Sequence, residues 1–261
     1  MIIQIAAETD PGIARSNNED AIAFDEITGL CILADGMGGH NAGQVASGMA
    51  AAFIESDMRT FLSGQEGELV RGELEAQLIR CITMANEAIF NMSQSNRQYA
   101  GMGTTLVVGV FLGDSLLLAH LGDSRCYRLR AQVLQQITKD HSLLQEQLDA
   151  GLITPQQALT SVHKNLVTRA LGVEDTVLLE VNEQRVEAGD LYLMCSDGLS
   201  DMVLDADIAL ILVSPGTLSE KAERLVVAAN DNGGRDNISV VLVLASDDAS
   251  KKSLLSRMLG K

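Results

Sequence analysis

Short apolar runs recur along the 261-residue chain, and most of them stop at Gly, Asp or Asn. "MIIQIAA" (1–7), "AIAF" (21–24), "GLCILAD" (29–35), "TTLVVGVFLG" (104–113) and "SLLLAHLG" (115–122) have the length and the bounding residues of β-strands. So do "RCYRLR" (125–130), "VLQQI" (133–137), "VLLEVNEQRV" (177–186), "DLYLMCSD" (190–197) and "NISVVLVLA" (237–245). "SLLLAHLG" and "ISVVLVL" are almost continuously apolar, which predicts strands covered on both faces. Between these runs the pattern changes. Residues 42–62 begin with small residues that let a helix lie close to a neighbour. Residues 67–94 carry Leu74, Leu78, Ile82, Ala85 and Ile89 at helical spacing. Residues 217–234 open with Thr217 and Glu220 in capping-box spacing and close near Gly233. Residues 142–172 read as short helices plus loop, with Thr154, Pro155 and Gln157 as an N-terminal cap signal. The pattern predicts a mixed α and β domain of many short strands flanked by helices. It carries no information on strand order.

A hydrophobic fraction of 46% is ample for a real core, and no linker divides the chain, so one large domain is expected. The longest apolar runs are far below the roughly 18 residues of a spanning helix, and the start has no basic region before its apolar residues. Neither a membrane span nor a signal peptide is expected. Cys31, Cys81, Cys126 and Cys195 sit far apart in apolar contexts without a C-x-x-C pair, which points to reduced core thiols and a cytoplasmic location. A net charge of -16 argues against binding nucleic acid, which needs clustered Lys and Arg.

The chemistry lies where the carboxylates fall. Asp35 ends an apolar run and precedes Gly36; Asp197 ends another and precedes Gly198. Asp123 follows "LLLAHLG", Asp236 stands just before "NISVVLVL", and Glu19 and Asp20 stand just before "AIAF". Taken singly, each is an ordinary turn residue. Six in one context pose a physical problem if the strand ends converge, because like charges must then take up protons or hold a cation. Oxygen ligands without histidine or thiolate favour Mg²⁺ or Mn²⁺ over zinc. A glycine at 36 would let its carbonyl approach such an ion. Two ions about 3.5–4 Å apart could share a bridging water, turn it into a nucleophile and orient a phosphoryl group for in-line attack. Arg15, four residues before Glu19, is either a phosphate-binding guanidinium or a surface arginine.

"RSNNED", "ADGMGGH", "GMGTTL", "HLGDSRCYRL", "LMCSDGLSD" and "GGRDNISVVLV" occur in the order and spacing of the metal-dependent serine/threonine protein phosphatases, the PPM family of type 2C. The chain resembles the compact bacterial branch of that family from about residue 4 to residue 245. The resemblance implies an α+β fold, a four-layer α-β-β-α sandwich of two packed antiparallel β-sheets flanked by helices. It implies a dinuclear Mn²⁺/Mg²⁺ centre in which Asp35 bridges the ions, Gly36 ligates through its carbonyl, and Asp197 and Asp236 complete one ion. Glu19 would act mostly through metal-bound water, and Asp123 would serve a third, weaker metal site shared with Asp197. Arg15 matches the phosphate-binding arginine, and residues 140–172 correspond to a variable flap that touches the protein substrate. Animal members carry a histidine where this chain has Met37. His40, five residues after Asp35, is the candidate general acid, with a metal-bound water or a purely local role as alternatives. His141 reads as a structural residue or flap anchor.

The implied partners are phosphorylated proteins and a cognate Ser/Thr protein kinase. A cysteine phosphatase is excluded, because the residues six after the four cysteines are Met37, Glu87, Gln132 and Asp201 rather than arginine. No P-loop stretch is present either. A catalytically inert relative acting as a binding or scaffold protein is the alternative from another class. The tail at 246–261 lies outside the resemblance; Leu254, Leu255, Met258 and Leu259 beside Lys251, Lys252, Arg257 and Lys261 suit either a surface contact or a frayed end.

Overall fold

The computed structural model describes residues 1–39, 42–64, 70–159 and 166–247. Eleven strands among them form two sheets, antiparallel throughout. The first sheet runs in the order β1 (Ile2–Asp10), β11 (Ile238–Ser246), β10 (Leu191–Cys195), β7 (Arg125–Arg130), β8 (Val133–Gln136). The second runs β2 (Asp20–Asp25), β3 (Leu30–Met37), β5 (Leu106–Leu112), β6 (Ser115–Leu121), β9 (Glu180–Arg185), with the two-residue β4 (Gly103–Thr104) paired to the end of β3.

Three apolar clusters explain why the strands read as nearly continuous. Cys31, Leu33, Val107, Leu118, Tyr192, Met194, Val241 and Val243 fill the space between the sheets. The alternate residues of the same strands point outward and are covered by helices. Ile32, Val108, Val110 and Ala119 pack under α1 (Ala42–Ser63) and α2 (Arg71–Ser95). Leu193, Val240 and Leu242 pack under α5 (Asp197–Ser200), α6 (Asp205–Val213) and α7 (Leu218–Asp231). Each fully buried Val or Leu contributes about 1.5–3 kcal/mol, so covering both faces makes these strands the stable frame. The result is the expected four-layer sandwich.

Local signals are borne out where they depend on neighbours alone. Ala42, Ala46 and Ala50 are fully buried on α1, which lets it approach β3 closely. Both halves of the Thr217–Glu220 capping box are formed. Gln157 N–H donates to Thr154 Oγ1 and Thr154 N–H to Gln157 Oε1, capping α4 (Pro155–Leu159). Several elements differ from the sequence pattern; the run 190–197, for example, ends as a strand at Cys195, and Asp197 opens the short helix α5. β9 starts at Glu180 rather than at 177, because its partner β6 turns away after Leu121 and leaves the preceding residues nothing to pair with. The sequence pattern does not predict α6; after Asp205 and Asp207 in its first turn, "IALILV" is apolar on every side, with Ile208 and Leu212 buried and Leu210 exposed, so it has no helical period to read. Residues 248–261, which include the apolar and basic positions of the tail, lie outside the described residues.

Candidate metal centre

Strand pairing brings the acids together. In the second sheet, β2 and β3 are in a register that sets Asp20 directly opposite Asp35. In the first, Cys195 pairs with Val240, so the chain leaves β10 at Asp197 beside the point where it enters β11 after Asp236. Asp123 follows the end of β6. These ends meet in a cavity of about 320 Å³ lined by Arg15, Glu19, Asp35, Gly36, Met37, Asp123, Asp197 and Asp236. All the predicted site residues are therefore in one place except His40, which lies outside the described residues. A larger cavity, about 750 Å³, lies at the other end of β3, near Thr28, Leu112 and Leu62, and gathers no such set of acids.

Two glycines make the convergence possible. A Cβ on Gly36 would collide with the backbone carbonyls of Gly43, at the start of α1, and of Glu19. A Cβ on Gly198 would collide with the carbonyl of Asn237. The glycine after each aspartate thus serves backbone packing first, and that packing leaves the Gly36 peptide on the cavity wall. Side chains stitch the two sheets together around it. Asn237 accepts from Glu19 N–H at 2.8 Å and donates to the carbonyls of Pro11 and Asn17. Ser196 donates to Asp20 Oδ2 at 2.9 Å. Asp35 N–H donates to Thr105 Oγ1, which is 2.7 Å from Ser124 Oγ.

The cluster is electrostatically strained. Loss of solvent, then the charges of Asp20, Asp197, Asp123 and Asp236, push the Asp35 carboxyl well above the usual carboxylate range. Asp197 is raised in the same way by desolvation, then by Asp123 and Asp236. Asp20 and Asp123 are each pushed up to about 6, chiefly by desolvation. Glu19 is raised too, again mainly by desolvation. The positive charge at this site is Arg15, whose Nη2 donates to Asp236 Oδ2 at 2.7 Å while its side chain stays 55% exposed. Arg15 therefore sits at the rim, paired with one of the acids rather than pointing freely at a phosphate.

The donor set fits hard divalent cations. Every candidate ligand is an oxygen, from carboxylates and one peptide carbonyl, and Asp20 Oδ1 is buried without a partner among the described residues. Asp20 is the residue that sequence reasoning undervalued. It is one of the six acids but lies outside the ligand set that the resemblance implies, and only the β2–β3 register shows that it faces Asp35. Asn237 and Ser196 were missed altogether; their signal, a polar residue beside an acid at a strand end, is too common to single out.

Comparison with known proteins points the same way. The family model described as "Protein phosphatase 2C" matches residues 13–241. The serine/threonine phosphatase stp of Listeria monocytogenes serotype 4b (strain F2365) is 40% identical over 238 residues, covering 90% of this chain and 93% of that protein. The crystal structure of the Mycobacterium tuberculosis serine/threonine phosphatase PstP/Ppp superimposes with a TM-score of 0.86 at 38% identity, over 95% of this chain and 100% of that one. A structure of the catalytic domain of PstP in complex with two manganese ions superimposes with a TM-score of 0.82 at 38% identity, over 94% and 99% of the two chains.

Proposed function

The chain belongs to the protein phosphatase 2C family and is a metal-dependent serine/threonine protein phosphatase, and we propose that it hydrolyses phosphoserine and phosphothreonine esters in the cavity around Asp35. In this reading Asp35, Gly36, Asp197 and Asp236 hold two Mn²⁺ or Mg²⁺ ions, Asp123 and Asp197 serve a third, and Glu19 and Asp20 act from the surrounding shell. When bound, the two ions supply an activated water and a positive field for the phosphoryl oxygens, so no covalent enzyme intermediate is needed. The chain's own groups do the rest. Asp35 faces Asp20 across β2–β3 and shares the cavity lining with Asp197, Asp123 and Asp236, so its carboxylate would be among the groups that hold the ions. Arg15 is bound to Asp236 through Nη2 at the rim of the cavity, and its exposed guanidinium would bind the phosphate oxygens of the substrate. His40 is the candidate donor of a proton to the leaving alkoxide.

The observation that carries this reading is the gathering of Glu19, Asp35, Asp123, Asp197 and Asp236 on the wall of one cavity, where lost solvent and mutual repulsion raise the pKa of Asp35, Asp123 and Asp197 and a cation would relieve both. The catalytic domain is assigned to residues 1–245, with the flap at about 140–172, and the substrates are phosphorylated proteins. Among the described residues no helix is long and apolar enough to cross a membrane. The proposal includes a cytoplasmic location and a Ser/Thr kinase whose action the enzyme reverses. The test is hydrolysis of 4-nitrophenyl phosphate and of a phosphothreonine peptide with and without Mn²⁺. Turnover that needs Mn²⁺ and is abolished by EDTA is expected. Partner binding with no turnover at saturating Mn²⁺ would identify a scaffold instead.

A further inference from the structure

His120 and His141 lie outside the acid cavity, yet their rings stack on each other with centroids 4.8 Å apart and planes 6° from parallel. Both residues are buried. Their nitrogens and the Glu180 carboxylate come within 4.8 Å of one another, which on distance alone would suit a cation. The contacts of the rings argue otherwise. His120 Nε2 and His141 Nδ1 already meet backbone groups, and His141 Nε2 faces Glu180, while His120 Nδ1 is buried without a partner among the described residues.

Those commitments form a reciprocal strap. His141 donates its own N–H to Gly122 O at 2.8 Å, and its Nδ1 accepts from Gly122 N–H at 3.2 Å. Gly122, held at a φ of +97° that favours glycine, is thereby gripped through both of its backbone groups by a single residue. Gly122 immediately precedes Asp123, which lines the acid cavity. In the opposite direction, His120 Nε2 meets the backbone of Lys139, two residues before His141, lying 2.9 Å from its carbonyl oxygen and 3.3 Å from its amide nitrogen. Arg125 adds a fork onto Asp140 with contacts of 3.0 and 2.7 Å. His141 also ties down the return limb of the flap. Its carbonyl accepts from Thr168 N–H at 2.8 Å, beside a bridge between Ser142 and Val167, and Val167 lines the acid cavity. Because Nδ1 is an acceptor, the proton of the neutral ring sits on Nε2, which faces Glu180 Oε2 at 3.4 Å.

We propose that His141 is a positioning residue of the phosphatase reaction: through Nδ1 and its backbone it holds the Gly122–Asp123 turn and both limbs of the flap in one register, so that the Asp123 carboxylate and the substrate-facing flap meet at the same site. His120 braces it by stacking and by its grip on Lys139. The proposal rests on the phosphatase reading above and adds a residue that touches neither ion nor substrate.

The experiment exploits the shape of two amides. Asn places Oδ1 where His has Nδ1 and can still accept from Gly122 N–H; Gln carries its polar atoms one bond further out, near Nε2, and cannot. Full-length wild type, His141→Asn and His141→Gln are assayed on 4-nitrophenyl phosphate and a phosphothreonine peptide across a Mn²⁺ titration, with melting curves and amide exchange at Gly122. Leaving a buried N–H unpaired predicts that His141→Gln raises both the peptide KM and the Mn²⁺ requirement roughly tenfold. The kcat on the small aryl ester at saturating Mn²⁺ should change much less, and Gly122 should exchange faster. His141→Asn should stay within about threefold of wild type on every measure. Equal behaviour of the two variants, an unaffected His141→Gln, or failure of both to fold would each overturn the proposal, the last by assigning His141 to folding alone. A wild type without Mn²⁺-dependent turnover would instead sink the phosphatase reading, and the Gly122 exchange comparison would still report on the strap.

Discussion

Replacing Asp35 by Asn should destroy the enzyme and strengthen the fold. Asp35 faces Asp20 across β2–β3 and feels Asp197, Asp123 and Asp236, and in the absence of cations its charge is a liability. Its neighbour Asp20 provides the scale. Moving a carboxyl from 3.8 to about 6 costs the charged form about 3 kcal/mol. At pH 7 the penalty cannot exceed the cost of protonating the group, about 4 kcal/mol for an acid of ordinary pKa. The cavity is open to water, which screens part of this, so a relief of about 2–3 kcal/mol is the working value for the neutral amide. The amide also offers an N–H donor toward Asp20, whose Oδ1 is buried without a partner among the described residues. For a chain of this size the gain corresponds to a Tm about 4–12 °C higher in EDTA. Turnover with Mn²⁺ should fall by roughly a thousandfold or more, since the bridging carboxylate is gone. Adding Mn²⁺ should raise the Tm of wild type but barely move the variant. Calorimetry in EDTA and in Mn²⁺, with the aryl phosphate assay alongside, reads all three. A lower Tm of Asp35→Asn in EDTA would show that the acids are not held in mutual repulsion, and substantial Mn²⁺-dependent turnover would remove Asp35 from the centre.

Other consequences follow from the same electrostatics. Asp20 and Asp123 have folded-state pKa values of about 6, above their unfolded value of 3.8, so the folded state binds more protons between those limits. The metal-free protein should therefore lose stability as pH rises from 4 toward 7, on the order of a few kcal/mol, and the Tm increment from Mn²⁺ should be larger at pH 8 than at pH 5.5; an increment independent of pH would contradict this. Arg15→Ala should raise KM for phosphate esters by roughly tenfold with a smaller change in kcat, because the exposed guanidinium binds substrate rather than activates water; a kcat loss with KM unchanged would reassign it.

The site was legible in outline because each acid carries a local signature. A carboxylate at the end of an apolar run, followed by Gly or preceded by small residues, can be recognised from its neighbours alone, and so can the capping boxes at Thr217 and Thr154. The strand inventory was equally local, since burial on both faces leaves a continuous apolar run that pattern alone reveals. What could not be read depends on register and on approach through space. Nothing near Asp20 announces that it faces Asp35, and nothing near Arg15 announces a partner 221 residues away in Asp236. The role of His141 is of this kind as well: its acceptor nitrogen matters because Gly122 lies 19 residues back in the chain but one hydrogen bond away.

Sequence by itself carried the alternation of elements, the oxygen-only chemistry of the strand ends with the class of cation it favours, and, through the order and spacing of its motifs, the family resemblance. Tertiary structure alone decided which acids confront one another, in which direction each is driven from its ordinary pKa, and that Arg15 rests on Asp236. The division has a physical reason. Propensity and capping act over a few residues of chain, whereas repulsion between carboxylates acts over a few ångströms of space, and only the folded sheets convert the second distance into the first.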